Sequence, residues 1–268
     1  MGTIGLIAVN AFRESVRDKV LYNLVFFATL LIVASYMVGQ LTAGQEAKII
    51  KDLGLAAASL FGLLIAVFIG IGLVSKEVER RSVYSVLTKP MSRTQFLLGK
   101  YAGLALTLVV NLTVMTIALY GVLAWMEWSS PANIKAAWEA PALDPALLKA
   151  ILLIAMELLL VVAVALLFST FSSPLLAASL TLGLYIVGHF NADLRNFEAV
   201  VDAPVLSAVA KGLYYALPNL APFDVKAQVV HAQPVTLSYV ALTSLYAVAY
   251  IGALLALASV IFGRRDFK

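Results

Sequence analysis

Six stretches of this chain are each apolar for close to the length a helix needs to cross a bilayer, about 20 residues for roughly 30 Å of hydrocarbon. They run approximately from Val20 to Gly39, Leu53 to Ser75, Tyr101 to Met126, Leu148 to Phe171, Pro174 to Phe190 and Leu237 to Phe262. Crossing and recrossing consumes nearly all of the 268 residues and leaves no room for a separate soluble catalytic domain, so residues 1–268 read as one transmembrane domain. Composition agrees, with 62% hydrophobic and 13% charged residues, where a soluble domain has about one quarter charged. The expected fold is therefore an all-α integral membrane protein with six transmembrane helices. Only Ser172, Ser173 and Pro174 separate the fourth run from the fifth. A very tight turn is expected there, the proline ending one helix or opening the next.

The charges orient these spans. With an even number of spans both termini share a side, together with the segment from Ser75 to Lys100. That side holds twelve cations (Arg13, Arg17, Lys19, Lys76, Arg80, Arg81, Lys89, Arg93, Lys100, Arg264, Arg265, Lys268) against five acids (Glu14, Asp18, Glu77, Glu79, Asp266). The positive-inside rule makes it cytoplasmic, in a cell inner membrane. The outer segments are then Gln40 to Asp52, Glu127 to Leu147 and Asn191 to Thr236, with Trp125 and Trp128 in the aromatic belt where the third span leaves the bilayer. The net charge of +4 sits at the ends of apolar runs and forms no basic face. The lipid bilayer, and no nucleic acid, is the expected partner. The absence of Cys excludes disulfides, thiolate nucleophiles and Cys-based metal sites.

The first nineteen residues lack a basic start, and their charges follow the apolar part, which argues against a cleaved signal peptide. Ile4, Ile7, Ala8, Ala11 and Phe12 recur at helical spacing, so residues 1–19 are expected to form an amphipathic helix along the inner leaflet. The charged island over residues 76–100 is broken by Lys89-Pro90, and Ser92 to Gln95 has the S-x-x-Q form of a capping box. Two helices follow: one from about Ser75 to Leu87, the other starting near Arg93 and continuing into the third span. A short amphipathic helix projecting from two spans suits a membrane domain that receives mechanical force from a soluble partner.

The island carries a resemblance. EVERRSVYSVLTKPMSRTQFLLGKY is similar to the first cytoplasmic loop of type-2 ABC exporter permeases, and the opening FRESVRDKVLYNL and closing FGRRDFK extend the likeness to the multi-copper enzyme maturation permease family. The resemblance implies that the loop is a coupling helix seated on an ATPase subunit, with contact assigned to Glu77, Glu79, Arg80, Arg81, Ser82 and Tyr84. It implies a dimer with a second permease copy or a paralogue, two ABC ATPase subunits, and ATP and Mg bound in those partners. No cofactor is expected in this chain. No G-x-x-x-x-G-K-[ST] occurs, and Gly99-Lys100 lacks the upstream glycine and is followed by Tyr101, so no phosphate-cradling loop can form there.

Glu157 lies within the fourth apolar run, where an acid costs about 2.5 to 3.5 kcal/mol by insertion scales. It is expected to face the protein interior, as a substrate-pathway or proton-linked carboxyl or as one bonded to a neighbouring helix. Asn111, Thr113 and Thr116 in the third span, and Thr243, Ser244, Tyr246 and Tyr250 in the sixth, are expected to hydrogen-bond between helices. Residues 191–236 should contain short helices that dip into the outer interface, form a lid or pack on the span ends. His189 and His231 flank that segment without a local third ligand, which makes a metal site a poor reading. An intramembrane enzyme would need polar groups gathered at one depth, and neither G-x-S-x-G nor H-E-x-x-H appears. A non-transporting subunit that passes ATPase motion to an extracytoplasmic accessory protein, or scaffolds a complex, is the other alternative to a permease.

Overall fold

The computed structural model describes residues 2–42, 44–79, 92–136, 138, 140–190, 211, 212, 214 and 217–264, the last part of the third helix, 72–79, as backbone only. Its helices are α1 (Thr3–Val16), α2 (Lys19–Gly39), α3 (Glu46–Glu79), α4 (Arg93–Ser129), α5 (Ala132–Lys135), α6 (Ala146–Ser169), α7 (Pro174–His189), α8 (Lys226–Val230) and α9 (Leu237–Arg264). A 3₁₀ turn, Ala221–Phe223, precedes α8. Among the described residues the fold is helical, with five helices (α2, α3, α4, α6, α9) long and apolar enough to cross a membrane. The fifth apolar run does form a helix, but α7 has 16 residues, which reach only about 24 Å.

Burial ranks these helices. α3 and α6 bury 67% of their most apolar stretch and form the centre; α2 and α9 bury 22% and 28% and lie outside. α2 packs on α3 and α4, α7 on α3 and α6, and α9 on α6 and α4. The outer helices leave large apolar side chains exposed, including Phe26, Phe27, Leu30 and Met37 on α2 and Leu242, Leu245 and Val248 on α9. Such surfaces are stable facing lipid, where exposed Leu carries no hydrophobic penalty. Trp125 and Trp128 project from the end of α4 with ring centroids 5.2 Å apart, as an aromatic belt requires.

Local sequence sets the helix boundaries. Asp18 accepts from the Val20 amide at 2.9 Å and starts α2 directly after α1. Ser92 and Gln95 form the capping box of α4 in both directions, with Ser92 Oγ accepting from the Gln95 amide at 3.2 Å and Gln95 Oε1 from the Ser92 amide at 3.3 Å. The expected tight turn follows α6, and Pro174 opens α7 in the first turn, where its missing N–H costs nothing.

Three expectations change. The helix expected to begin near Ser75 is no separate element there, because α3 continues unbroken to Glu79. The stripe Ile7, Ala8, Ala11 of α1 faces protein: α1 crosses α4 so closely that a Cβ on Gly103 would lie 2.6 Å from the Ala8 carbonyl oxygen. Asn111, Thr113 and Thr116 bond within their own helix, to the carbonyls of Thr107, Val109 and Leu112, each at 2.7 Å. A short polar side chain four residues along a helix reaches its own backbone more easily than a neighbouring helix does. Tyr246 does bridge elements, its phenol accepting from the Asn219 amide at 2.9 Å.

Candidate functional site

Two regions combine polar chemistry with positioning by several elements: the stem of the charged island and a buried cluster around Glu157.

The stem is made of two helices that outrun the bilayer. α3 has 34 residues and α4 has 37, about 51 and 55 Å long, so both extend past the apolar stretch on the cation-rich side. Glu77 and Glu79 lie on the last turn of α3. Arg80, Arg81, Ser82 and Tyr84 lie outside the described residues. The base of α4 is tied on both flanks. Arg93 Nη1 donates to the carbonyls of Phe262 and Gly263 at 3.2 and 3.0 Å, satisfying the last turn of α9 with a cation where the helix dipole is negative. Phe96 stacks on Phe262 with centroids 6.1 Å apart. Lys100, only 4% exposed, donates to Glu14 of α1 at 3.5 Å and sits 5.8 Å from the Phe96 ring centroid. Displacement of the α4 base therefore acts directly on α1 and α9.

The buried cluster assembles where α7 stops. Glu157 is 1% exposed on α6, about 17 Å along that helix from its start at Ala146. The end of α7 brings His189 Nε2 to 3.2 Å from Glu157 Oε1. The approach is oblique, and Oε1 has no well-directed hydrogen bond. His189 Nδ1 lies 3.0 Å from the Tyr185 carbonyl, and the Tyr185 and His189 rings pack with centroids 4.6 Å apart. The Tyr185 phenol lies close to both Glu157 and Ser59 of α3. Lys226 Nζ donates to Ser59 Oγ at 3.4 Å and pairs with Asp224 at 3.5 Å. Polar groups thus run from α6 through α7 and α3 to the turn before α8.

That turn reaches Glu157's depth because α7 is short. Leu220, Phe223, Val225, Val229 and Val230 are buried, packing the 3₁₀ turn on α6 and α8 on α3 and α6. The Leu220 amide donates to the Gly188 carbonyl at 2.9 Å. A Cβ at Gly188 would come within 2.8 Å of Leu220, so the close approach requires glycine. Of the segment 191–236, where short helices were expected, the stretch 217–236 carries the 3₁₀ turn and α8, and residues 191–210, 213, 215 and 216 lie outside the described part.

Sequence reasoning singled out Glu157 and weighed His189 only as a metal ligand, so it missed their pairing, and it passed over Lys51. Lys51 is 1% exposed, donates to the Pro141 carbonyl at 2.7 Å and lies 4.0 Å from Asp144. Next to it Glu46 accepts from Trp138 Nε1 at 3.3 Å and the Gly44 amide at 3.0 Å. These pairs lock the start of α3 to the loop before α6, around a cavity of about 90 Å³ lined in part by Lys51, Trp138 and Val230. The only available signal was a Lys and a Glu at one end of an apolar helix, which is indistinguishable from a solvated cap. Asn111, with 9% exposure, stands apart from the Glu157 cluster in its bonding, since its amide goes to its own helix. Among the described residues no group of three or more His, Cys, Asp or Glu could hold a metal.

A family model described as ABC-2 family transporter protein matches residues 6–267. No curated protein matches the chain.

Proposed function

Because this chain belongs to the ABC-2 family of transporter proteins, we propose that it is a permease working as one of two membrane subunits in an ATP-driven exporter. As the membrane component of an ABC transporter, it pairs with an ABC ATPase. In the proposal, that ATPase binds ATP and Mg, and the second permease is a copy of this chain or a paralogue. Both termini and the 76–100 loop face the cytoplasm of an inner-membrane cell surface, where the cations concentrate. The likeness of EVERRSVYSVLTKPMSRTQFLLGKY to coupling loops supports ATPase contact through Glu77, Glu79, Arg80, Arg81, Ser82 and Tyr84. Glu157 lines or braces the pathway within the membrane, and Asn111 is a structural polar residue of α4.

The observation that carries this reading is the stem: α3 and α4 project beyond their apolar lengths, and Arg93, Phe96 and Lys100 tie the base of α4 to α9 and α1. A push on the loop is thereby delivered to three helices rather than absorbed in a flexible connection, which a two-state repacking of spans requires. Reversing charge with Arg80→Glu and Arg81→Glu should reduce recovery of the ATPase on mild-detergent purification at least tenfold, with the permease still monodisperse. Undiminished recovery overturns the coupling assignment. Stoichiometric recovery of wild-type chain with an outer-face protein and no ATP-dependent movement of cargo would favour a non-transporting subunit.

A further inference from the structure

We propose that Glu157 and His189 share a single bound proton, making the junction of α6 with the end of α7 a proton-binding site inside the membrane domain. The ground is the hydrogen-bonding inventory of the imidazole. Nδ1 lies 3.0 Å from the Tyr185 carbonyl oxygen, which can only accept, so Nδ1 carries a hydrogen and donates it. In a neutral ring Nε2 would then be a bare lone pair. It lies 3.2 Å from Glu157 Oε1, approached obliquely. A lone pair against an ionised carboxylate oxygen, on a side chain 2% exposed, is repulsive and unscreened. One further proton removes the conflict, either on Nε2 as an imidazolium facing a carboxylate or on Glu157 as a neutral acid donating to Nε2. In both forms the pair has no net charge, as burial at this depth favours.

The surrounding elements supply a route for that proton. From α7, the Tyr185 phenol lies close to Glu157 and to Ser59 of α3. From the turn before α8, Lys226 donates to Ser59 and pairs with Asp224, whose side chain is 42% exposed. α4 contributes Tyr101, whose phenol donates to the Leu159 carbonyl at 3.3 Å, two residues beyond Glu157 on α6. α9 contributes Tyr246, bound to the Asn219 amide, and Tyr250 beside it. Lys226 and Asp224 are the other ionised groups whose contacts join this network. The proton enters and leaves through the Tyr185–Ser59 side, with water at Asp224 as its final acceptor or donor; no other bond forms or breaks. Its loss leaves a carboxylate opposite a lone pair at the contact that holds the end of α7 on α6, so proton occupancy sets how firmly α7 is latched. The site rests on the geometry of the fold, not on the transport reading.

The test uses the full chain in lipid nanodiscs with ¹⁵N-labelled histidine and His231→Gln, which leaves His189 as the sole reporter. The expected result at neutral pH is a protonated Nδ1, together with either a protonated Nε2 or an Nε2 accepting a strong hydrogen bond. In the second case a protonated-carboxyl infrared band should be present and should disappear with Glu157→Gln. Observation of a neutral ring with its hydrogen on Nε2 and a bare Nδ1, with Glu157 ionised throughout, overturns the proposal; the spectroscopy needs no variant of either residue in the pair.

Discussion

Glu157 and His189 are the residues whose meaning changed most between sequence and structure. In sequence they are 32 positions apart, one an acid without a partner and the other a flank of a polar loop; in space their side chains stand 3.2 Å apart. Removing one member of a buried polar pair strands the other, which costs about 3 to 5 kcal/mol, whereas replacing both with apolar groups of similar volume is nearly neutral. Glu157→Leu and His189→Leu should therefore each lower resistance to unfolding in mixed micelles by about 3 kcal/mol, and the double variant should recover more than half of either loss. Simple addition of the two losses would show that the pair does not interact. At this scale the sequence disclosed that Glu157 needs an interior partner. Its identity was hidden because a contact between helices depends on the depth at which each helix ends, and no local pattern encodes that depth.

At the scale of elements, capping was readable and packing was not. Ser92 with Gln95, Asp18 before α2 and Pro174 at the head of α7 act through hydrogen bonds or ring geometry within a few residues, so their sequence signals survive intact in the fold. The apolar stripe on α1 reads equally well as a lipid-facing or a protein-facing surface. What decides is the partner: Gly99 and Gly103 on α4 leave the space into which Ile7 and Ala11 pack. Gly103→Val should force α1 off α4 at a cost of about 1 to 3 kcal/mol. Faster limited proteolysis within residues 3–16 in detergent is the expected readout, with α6 still protected; unchanged cleavage would show that α1 does not depend on this crossing.

For the whole molecule, the absence of Cys makes any introduced thiol unique, so topology can be read site by site. A membrane-impermeant maleimide should label the exposed positions Asn133→Cys and Gln233→Cys from outside, and Gly2→Cys only after the membrane is opened. The reverse pattern would invert the orientation and remove the loop from the cytoplasm. The same experiment tests α7, because a helix of 16 residues returns the chain to the outer face only if the segment through Phe223 and Val230 completes the crossing.

The sequence alone determined that the chain is a helical membrane domain, where its long apolar helices lie, and which end of each helix carries its cap and its charges, because chain length against bilayer thickness and capping are local quantities. Only the tertiary structure decided that α3 and α6 form the centre, that α7 stops at the depth of Glu157, that Lys51 is enclosed and that His189 reaches Glu157. In lipid every one of these helices is apolar on all sides, so the pattern that separates core from surface in a soluble protein is missing. Which face meets another helix was set instead by close approach at small residues and by the pairing of a few polar side chains.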